Sequence, residues 1–402
     1  MNKIKVAIIR EEKVPHDKRV GLTPVQCVYL QKIYPHVQFI VQPSAWRSIP
    51  DIEYSDAGLI VQENISDCAI MIGIKEVPVK SLIPEKIYLF FSHTIKKQPH
   101  NRLLLQTIIE KKIQLIDYEC LVDDQENRII GFGRYAGIVG AYNTLRAYGL
   151  KYKKYKLKPA QDCEHKAELE KELRKVKLSN IKILVTGGGR VANGATEILG
   201  AMKIRRVTPY EFLMFPFTEP VYAQVHSSDY HYNKKGHGWD NEHFHHHPEE
   251  YLSAFAKFTD KCDMLLHCAF WNPNAPKLFS LDEMAHSKFR IRLIGDITCD
   301  INGSIPSTTR TTTIEKPFFD YDPQSRKEVQ GMHENTITTM AVDNLPCSLP
   351  RDASETFGQE LIDKVLPVLF NDAHNQLIER ASITKNGKLN KRFAYLADYV
   401  NQ

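Results

Sequence analysis

Residues 182–195, KILVTGGGRVANGA, constrain this chain more than any other stretch. Lys182 to Val185 has the apolar run of a short buried strand. Thr186 then opens onto glycines at 187, 188 and 189. Behind them Val191, Ala195, Ile198, Leu199 and Met202 recur three and four residues apart, the spacing of a helix with one apolar face. A strand that passes through glycines into a helix is the first half of a parallel βαβ unit. Gly187 and Gly189 permit a tight turn and leave no Cβ between backbone and ligand. The N–H groups at the helix start then face an approaching diphosphate, with the helix dipole behind them. Ala192 suits the small third position of a GxGxxG/A pattern, and Gly194 serves if the turn is a longer variant. The structural alternative is a βα loop that binds nothing; the strand and helix on either side favour a dinucleotide site.

Such a unit needs a larger sheet around it. At 402 residues the chain exceeds one ordinary core, so two domains are expected. Hydrophobic content of 43% and charged content of 25% are those of a soluble globular protein. A net charge of +5, from 53 basic and 48 acidic residues, is too small an excess to argue for nucleic acid. Lys3 to Arg10 reads directly as a strand and not as a signal peptide, and no apolar run approaches the roughly 18–20 residues of a membrane span. The eight cysteines contain no CxxC pair, which suits reduced thiols in a cytoplasmic protein.

Strand candidates 4–10, 37–42, 68–74, 87–92 and 113–117 alternate with helical stretches near 25–34 and 98–111. That alternation predicts a doubly wound parallel sheet, in which ligands gather beyond the carboxyl ends of the strands. Lys75 and Glu76, His93, and Asp117 to Glu119 stand at three such ends. Residues 133–150 read as a helix with small residues on one side, at the crossing between domains, and the basic run 151–160 reads as a solvated linker. The second strand of the nucleotide domain is expected within 203–212. There Arg205 and Arg206 can suit a 2′-phosphate and Glu211 follows, so NAD and NADP both stand. The histidine-rich stretch 226–247 lacks a recognised ligand spacing and reads as a lid or surface loop with no metal. Strands at 263–271 and 291–297 follow, with Asp296 and Asp300 as site candidates. Asp352 and Glu355 read as a helix-capping pair. The fold class expected is α/β: two Rossmann-like doubly wound domains with the active-site cleft between them. Residues 1–135 with 335–402 make the substrate domain, and 136–334 the dinucleotide domain.

Several motifs occur together and in order: REEKVPHDKRVGLTP (10–24), GIKEVP (73–78), FFSHTIKKQ (90–98), LIDYECL (115–121), GFGRYAG (131–137), the glycine turn, GDITCDINGSI (295–305) and VDNLPCSLPRDASE (342–355). With them the chain resembles the lysine-forming saccharopine dehydrogenases and the lysine–ketoglutarate reductase domain of aminoadipic semialdehyde synthases, within the alanine dehydrogenase and transhydrogenase superfamily. The resemblance covers nearly the whole chain. It implies NAD(P)-dependent hydride transfer that interconverts saccharopine with L-lysine and 2-oxoglutarate. It also implies Lys75 and His93 as proton-transfer groups and Arg19 as the substrate-carboxylate partner. Arg128, Gln98 and Phe132 would line the substrate pocket, with Glu76 and Glu119 as acidic neighbours. Gly187, Gly189, Arg190 and Val191 match the nucleotide turn, and Asp296, with Asp300 as runner-up, would approach the nicotinamide. Arg134 departs from the family pattern and would add a cation on the substrate side. Two rivals remain. An alanine dehydrogenase would use the same Lys75, His93 and Arg19, but the segments 342–355 and 131–137 count against it. A non-catalytic nucleotide sensor would not need Lys75 and His93, and both are intact.

Overall fold

Short apolar runs closed off by loops become the strands of two separate, mostly parallel sheets. The computed structural model describes residues 3–372 and 375–401. One unit comprises Met1–Phe132 with Pro350–Gln402, the other Gly133–Leu349.

In the first unit, β1 (Ile4–Ile8), β2 (Val37–Val41), β3 (Ile60–Val61), β4 (Ile70–Ile72), β5 (Ile87–Phe90) and β6 (Gln114–Asp117) lie parallel in the order β6-β5-β4-β1-β2-β3. Strands Ser382–Lys385 and Lys388–Leu389 extend the β6 edge antiparallel. The chain winds outward from β1 to β3 and then crosses back to β4. Winding direction therefore reverses between β1 and β4, where open α/β sheets place their ligands. Helix α1 (Pro24–Ile33) starts on a Thr23–Gln26 capping box with Pro24 in its first turn. On the β5–β6 connection lies α2 (Arg102–Glu110). The helix Pro350–Lys364 returns to this unit, with Ser354 Oγ accepting the Val20 N–H at 2.9 Å and Gln26 Nε2 donating to the Glu355 carbonyl at 2.8 Å. Because it begins at Pro350, Asp352 stands in its first turn and favours the dipole there; it is not the expected cap.

The second unit opens with α3 (Gly133–Lys151), which precedes β7 (Lys182–Thr186) and α4 (Arg190–Ala201). Next come β8 (Arg205–Val207), β9 (Val221–Val225), β10 (His231–Asn233), β11 (Tyr251–Ser253), β12 (Met264–His267), β13 (Leu293–Asp296), β14 (Phe318–Asp322), β15 (Lys327–Val329) and β16 (Ile337–Met340). The large sheet runs β15-β14-β16-β13-β12-β7-β9-β8, parallel from β16 to β8. Within the histidine-rich stretch only His231–Asn233 is strand, β10, which pairs antiparallel with β11 beyond it, over an aromatic cluster in which His231 stacks on Phe244 at 4.7 Å between ring centres. Its exposed histidines sit around that cluster, which the composition alone does not reveal. Among the described residues, no helix is long and apolar enough to cross a membrane.

Candidate active site

The carboxyl ends of β6, β5, β4 and β1 stand side by side because those strands are neighbours in one parallel sheet. Lys75 and Glu76 follow β4, His93 follows β5, and Glu119 follows β6. Glu11, Asp17 and Arg19 lie in the loop after β1. The ladder continues past the strands proper: Gly73 N–H donates to the Leu89 carbonyl at 3.0 Å and Phe91 N–H to that of Ile74 at 2.9 Å. Lys75 and His93 are thus set on rigid backbone.

His93 Nδ1 lies 2.6 Å from Glu76 Oε1, and Lys13 Nζ donates to Glu76 Oε2 at 2.8 Å. Burial alone would raise the Glu76 carboxyl, but the hydrogen bonds from His93 and Lys13 prevail and bring it down to about 2. The sign for stability follows. A carboxyl lowered from 4.5 stabilises the fold above pH 4.5 and loses that contribution as pH falls through about 2. Glu76→Gln is therefore expected to be less stable at pH 7 and to show a flatter decline in urea midpoint between pH 4.5 and 2; an unchanged decline would contradict the pairing. For the Lys75 amine, burial and then the Arg19 guanidinium pull the pKa below its ordinary 10.5, with Asp17 opposing them. That is the direction an amine needs to exchange protons near neutrality.

Arg19, 3% exposed, is gripped by Asp17 through Nε at 2.9 Å and Nη2 at 2.5 Å. Its guanidinium lies 4.1 Å over the Phe132 ring, which in turn stacks on Phe357 at 4.4 Å. On the next strand end Glu119 pairs with Arg128 at 3.1 Å and Lys96 at 3.3 Å. Its second carboxylate oxygen is buried without a hydrogen-bond partner. Gln98 is exposed at the start of a 3-10 turn, its carbonyl accepting from the Tyr399 hydroxyl. Lys75, Glu76, His93, Arg19 and Phe132 therefore belong to one group of strand ends, Glu119 and Arg128 to its β6 flank. Sequence reasoning missed Glu11, Lys13 and Asp17, because within a run of charges nothing local marks which will be buried.

The glycine turn carries the positive φ that only glycine adopts freely, +89° at Gly187. Gly187 N–H donates to the Val225 carbonyl at 2.8 Å and Gln224 Nε2 to the Gly187 carbonyl at 2.9 Å, so β9 pins the turn. A Cβ on Gly188 would sit 2.6 Å from the His226 ring, whereas one on Gly189 would meet nothing within 4 Å. Gly189 is the cap of α4, and the first turn of that helix bears no acidic residue. Open space in front of helix N–H groups, free of a repelling carboxylate, fits a dinucleotide diphosphate.

The residues expected at the cofactor lie at different places in the second unit. Arg205 and Arg206 lie on β8, which β9 separates from β7, and Arg205 is level with Lys182 at the opposite end of the sheet from the glycines. The strand beside the turn is β9, so the residues after it, His226 to Asp229, occupy the place expected of Arg205 and Arg206. Glu211 is spent on a capping box with Thr208. Val191 is half-buried in the first turn of α4, its carbonyl lying where a Cβ on Gly137 would come within 1.9 Å. Asp296 is wholly buried, accepting from Thr308 Oγ1 at 2.6 Å, Thr298 Oγ1 at 2.7 Å and Cys299 N–H at 3.2 Å, so it staples its own loop. Asp300 is exposed in the same loop, and Arg190 is half-buried at the start of α4. Arg134 is not a substrate-side cation either, because Glu197 of α4 holds it through two bonds of 2.8 Å.

Residues 8–139 match the family described as alanine dehydrogenase/PNT, N-terminal domain. The chain is 30% identical to the mitochondrial alpha-aminoadipic semialdehyde synthase of Rattus norvegicus over 97% of its own length, and it spans about half, 47%, of that protein. It is 24% identical to the NAD(+), L-lysine-forming saccharopine dehydrogenase of Emericella nidulans, with 89% of this chain and 90% of the other covered. The fold is that of a solved L-alanine dehydrogenase: TM-score 0.62, 13% identity, 99% of each chain covered.

Proposed function

We propose that this chain, similar over nearly its whole length to lysine-forming saccharopine dehydrogenases and to about half of the aminoadipic semialdehyde synthases, is an NAD(P)-dependent oxidoreductase of the CH–NH group that interconverts saccharopine with L-lysine and 2-oxoglutarate. The observation that carries this reading is the group of strand ends holding Lys75, the His93–Glu76 pair and Arg19.

When bound, the nicotinamide supplies the acceptor for the hydride of the glutarate α-carbon. The chain's residues handle protons and carboxylates. Arg19, oriented by Asp17, meets a substrate carboxylate with a planar fork, which a lysine does not offer. Lys75 in its neutral form takes the proton from the secondary amine as the imine forms. His93 takes one proton from the water that adds to the imine carbon and passes it to the nitrogen, then moves the carbinolamine hydroxyl proton to the same nitrogen as the C–N bond breaks, leaving 2-oxoglutarate and lysine. Glu76 holds the imidazole by Nδ1, leaving Nε2 for that exchange. The buried oxygen of Glu119 would receive the ammonium of the lysine moiety. Nucleotide choice between NAD and NADP falls to the His226–Asp229 turn. Eight reduced cysteines, seven of them buried, suit a reducing compartment such as the cytoplasm.

The test follows nicotinamide absorbance with lysine plus 2-oxoglutarate, with saccharopine, and with pyruvate plus ammonia, each with both nucleotides. Turnover of the first two is expected. A signal only with pyruvate and ammonia would assign an alanine dehydrogenase, and none with any of the three would leave the non-catalytic sensor.

A further inference from the structure

We propose that Glu11 is a positioning residue for Lys75: its buried carboxylate clamps the amides of Ile74 and Lys75 and so fixes where the Lys75 amine stands. The inference rests on the reading of Lys75 as a proton-transfer group.

Glu11 lies in the loop after β1 and is 8% exposed. Oε1 accepts the Ile74 N–H at 2.6 Å and Oε2 accepts the Lys75 N–H at 2.8 Å. Strand β4 proper ends at Ile72, and although the Ile74 carbonyl still pairs with Phe91, the Ile74 and Lys75 N–H groups are taken by the carboxylate. Gly73 makes the room, since a Cβ there would come 2.9 Å from Ile9 Cδ1 and 3.4 Å from Glu11 Oε1. A neutral side chain can also accept amide hydrogen bonds, and at far lower desolvation cost. A carboxylate buried at this place therefore points to a functional demand. The charged and titratable groups around the cluster are Lys13, Asp17 and Arg19 from the loop after β1, Glu76 and His93 from the ends of β4 and β5, and Tyr118 after β6. Burial and Asp17 push the Glu11 carboxyl up to about 8, against the two amides and Arg19, which pull it down.

Glu11→Gln keeps the shape but turns an –NH2 toward one of the two N–H groups. Turnover of lysine with 2-oxoglutarate is expected to fall about 10–100-fold, as for a slightly misplaced catalytic group. KM and dinucleotide affinity should stay within about threefold, and the pH–rate profile should lose its limb near pH 8. Glu11→Asp retains the charge one methylene short, and it should recover part of the turnover; equal loss in both variants would reduce Glu11 to a structural role. A second readout needs no substrate: cyanate carbamylation of Lys75, followed by peptide mass against pH, tracks its neutral, accessible amine. Its rate at Lys75 should change at least about threefold in Glu11→Gln while Lys18 labels as before. Wild-type turnover and wild-type labelling in both variants would overturn the proposal. Altered labelling in an enzyme that does not use lysine and 2-oxoglutarate would uphold the clamp and sink the substrate assignment instead.

Discussion

Lys75→Met is expected to lower turnover by about 10³-fold or more while leaving dinucleotide affinity within about twofold. Methionine keeps an unbranched stem of similar length, so the packing around residue 75 survives and only the amine is lost. The glycine turn belongs to the Gly133–Leu349 unit, and Lys75 to the other, which is why the two readouts should separate. Burial and Arg19 hold this amine below its ordinary pKa, and Met removes the only group on that strand end with that property. Single-turnover absorbance gives the rate and nucleotide fluorescence titration gives the affinity. Adding a small primary amine to Lys75→Ala should restore part of the lost rate, since the missing function is a proton carrier. Full activity in Lys75→Met would end the assignment of Lys75.

The largest effect on stability is expected at Gly194→Ala. Helices α3 and α4 cross backbone to backbone. A Cβ on Gly194 would lie 1.9 Å from the Arg134 carbonyl oxygen, and one on Gly137 1.9 Å from that of Val191, where real Cβ contacts do not come under 3.0 Å. The obstacle is main chain on both sides, so no rotamer change relieves it, and the helices must part. Alanine in place of glycine favours a helix by about 1 kcal/mol, but overpacking against a fixed wall commonly costs ~1–3 kcal/mol and here acts on backbone. The clash wins, with an expected net loss on the order of 2–3 kcal/mol. Dinucleotide affinity should fall as well, because α4 carries the glycine turn at its start. Gly200→Ala supplies the control: it lies in the same helix, a Cβ there meets nothing within 4 Å, and it should be neutral or slightly stabilising. Equal urea midpoints for the two variants would refute the crossing.

Much of the site was legible because its residues sit at the ends of strands that announce themselves by composition. Lys75, His93 and Glu119 follow apolar runs, and the rule for parallel sheets gathers such ends. Asp296 obeys the same rule, and there Thr298 and Thr308 fold back onto it, which the sequence does not reveal. Arg205 and Arg206 were misplaced for a different reason. The strand that follows a βα turn in sequence need not be its neighbour in the sheet, and here β9 intervenes. Glu11, in contrast, is indistinguishable in sequence from Glu12, and only one of them is deeply buried.

By itself the sequence determined what depends on short range: which runs become strands, where glycine is required, and which chemical groups end up at strand termini. Periodicity and φ preference act over a few residues, so a reader of the chain has all the terms. Tertiary structure alone decided which strand lies beside β7, which helix meets Gly194, and which carboxylates are taken out of water. Each of these depends on residues tens to hundreds of positions away. Burial, which sets the pKa of Glu11 and Lys75 alike, exists only once those distant segments have closed around them.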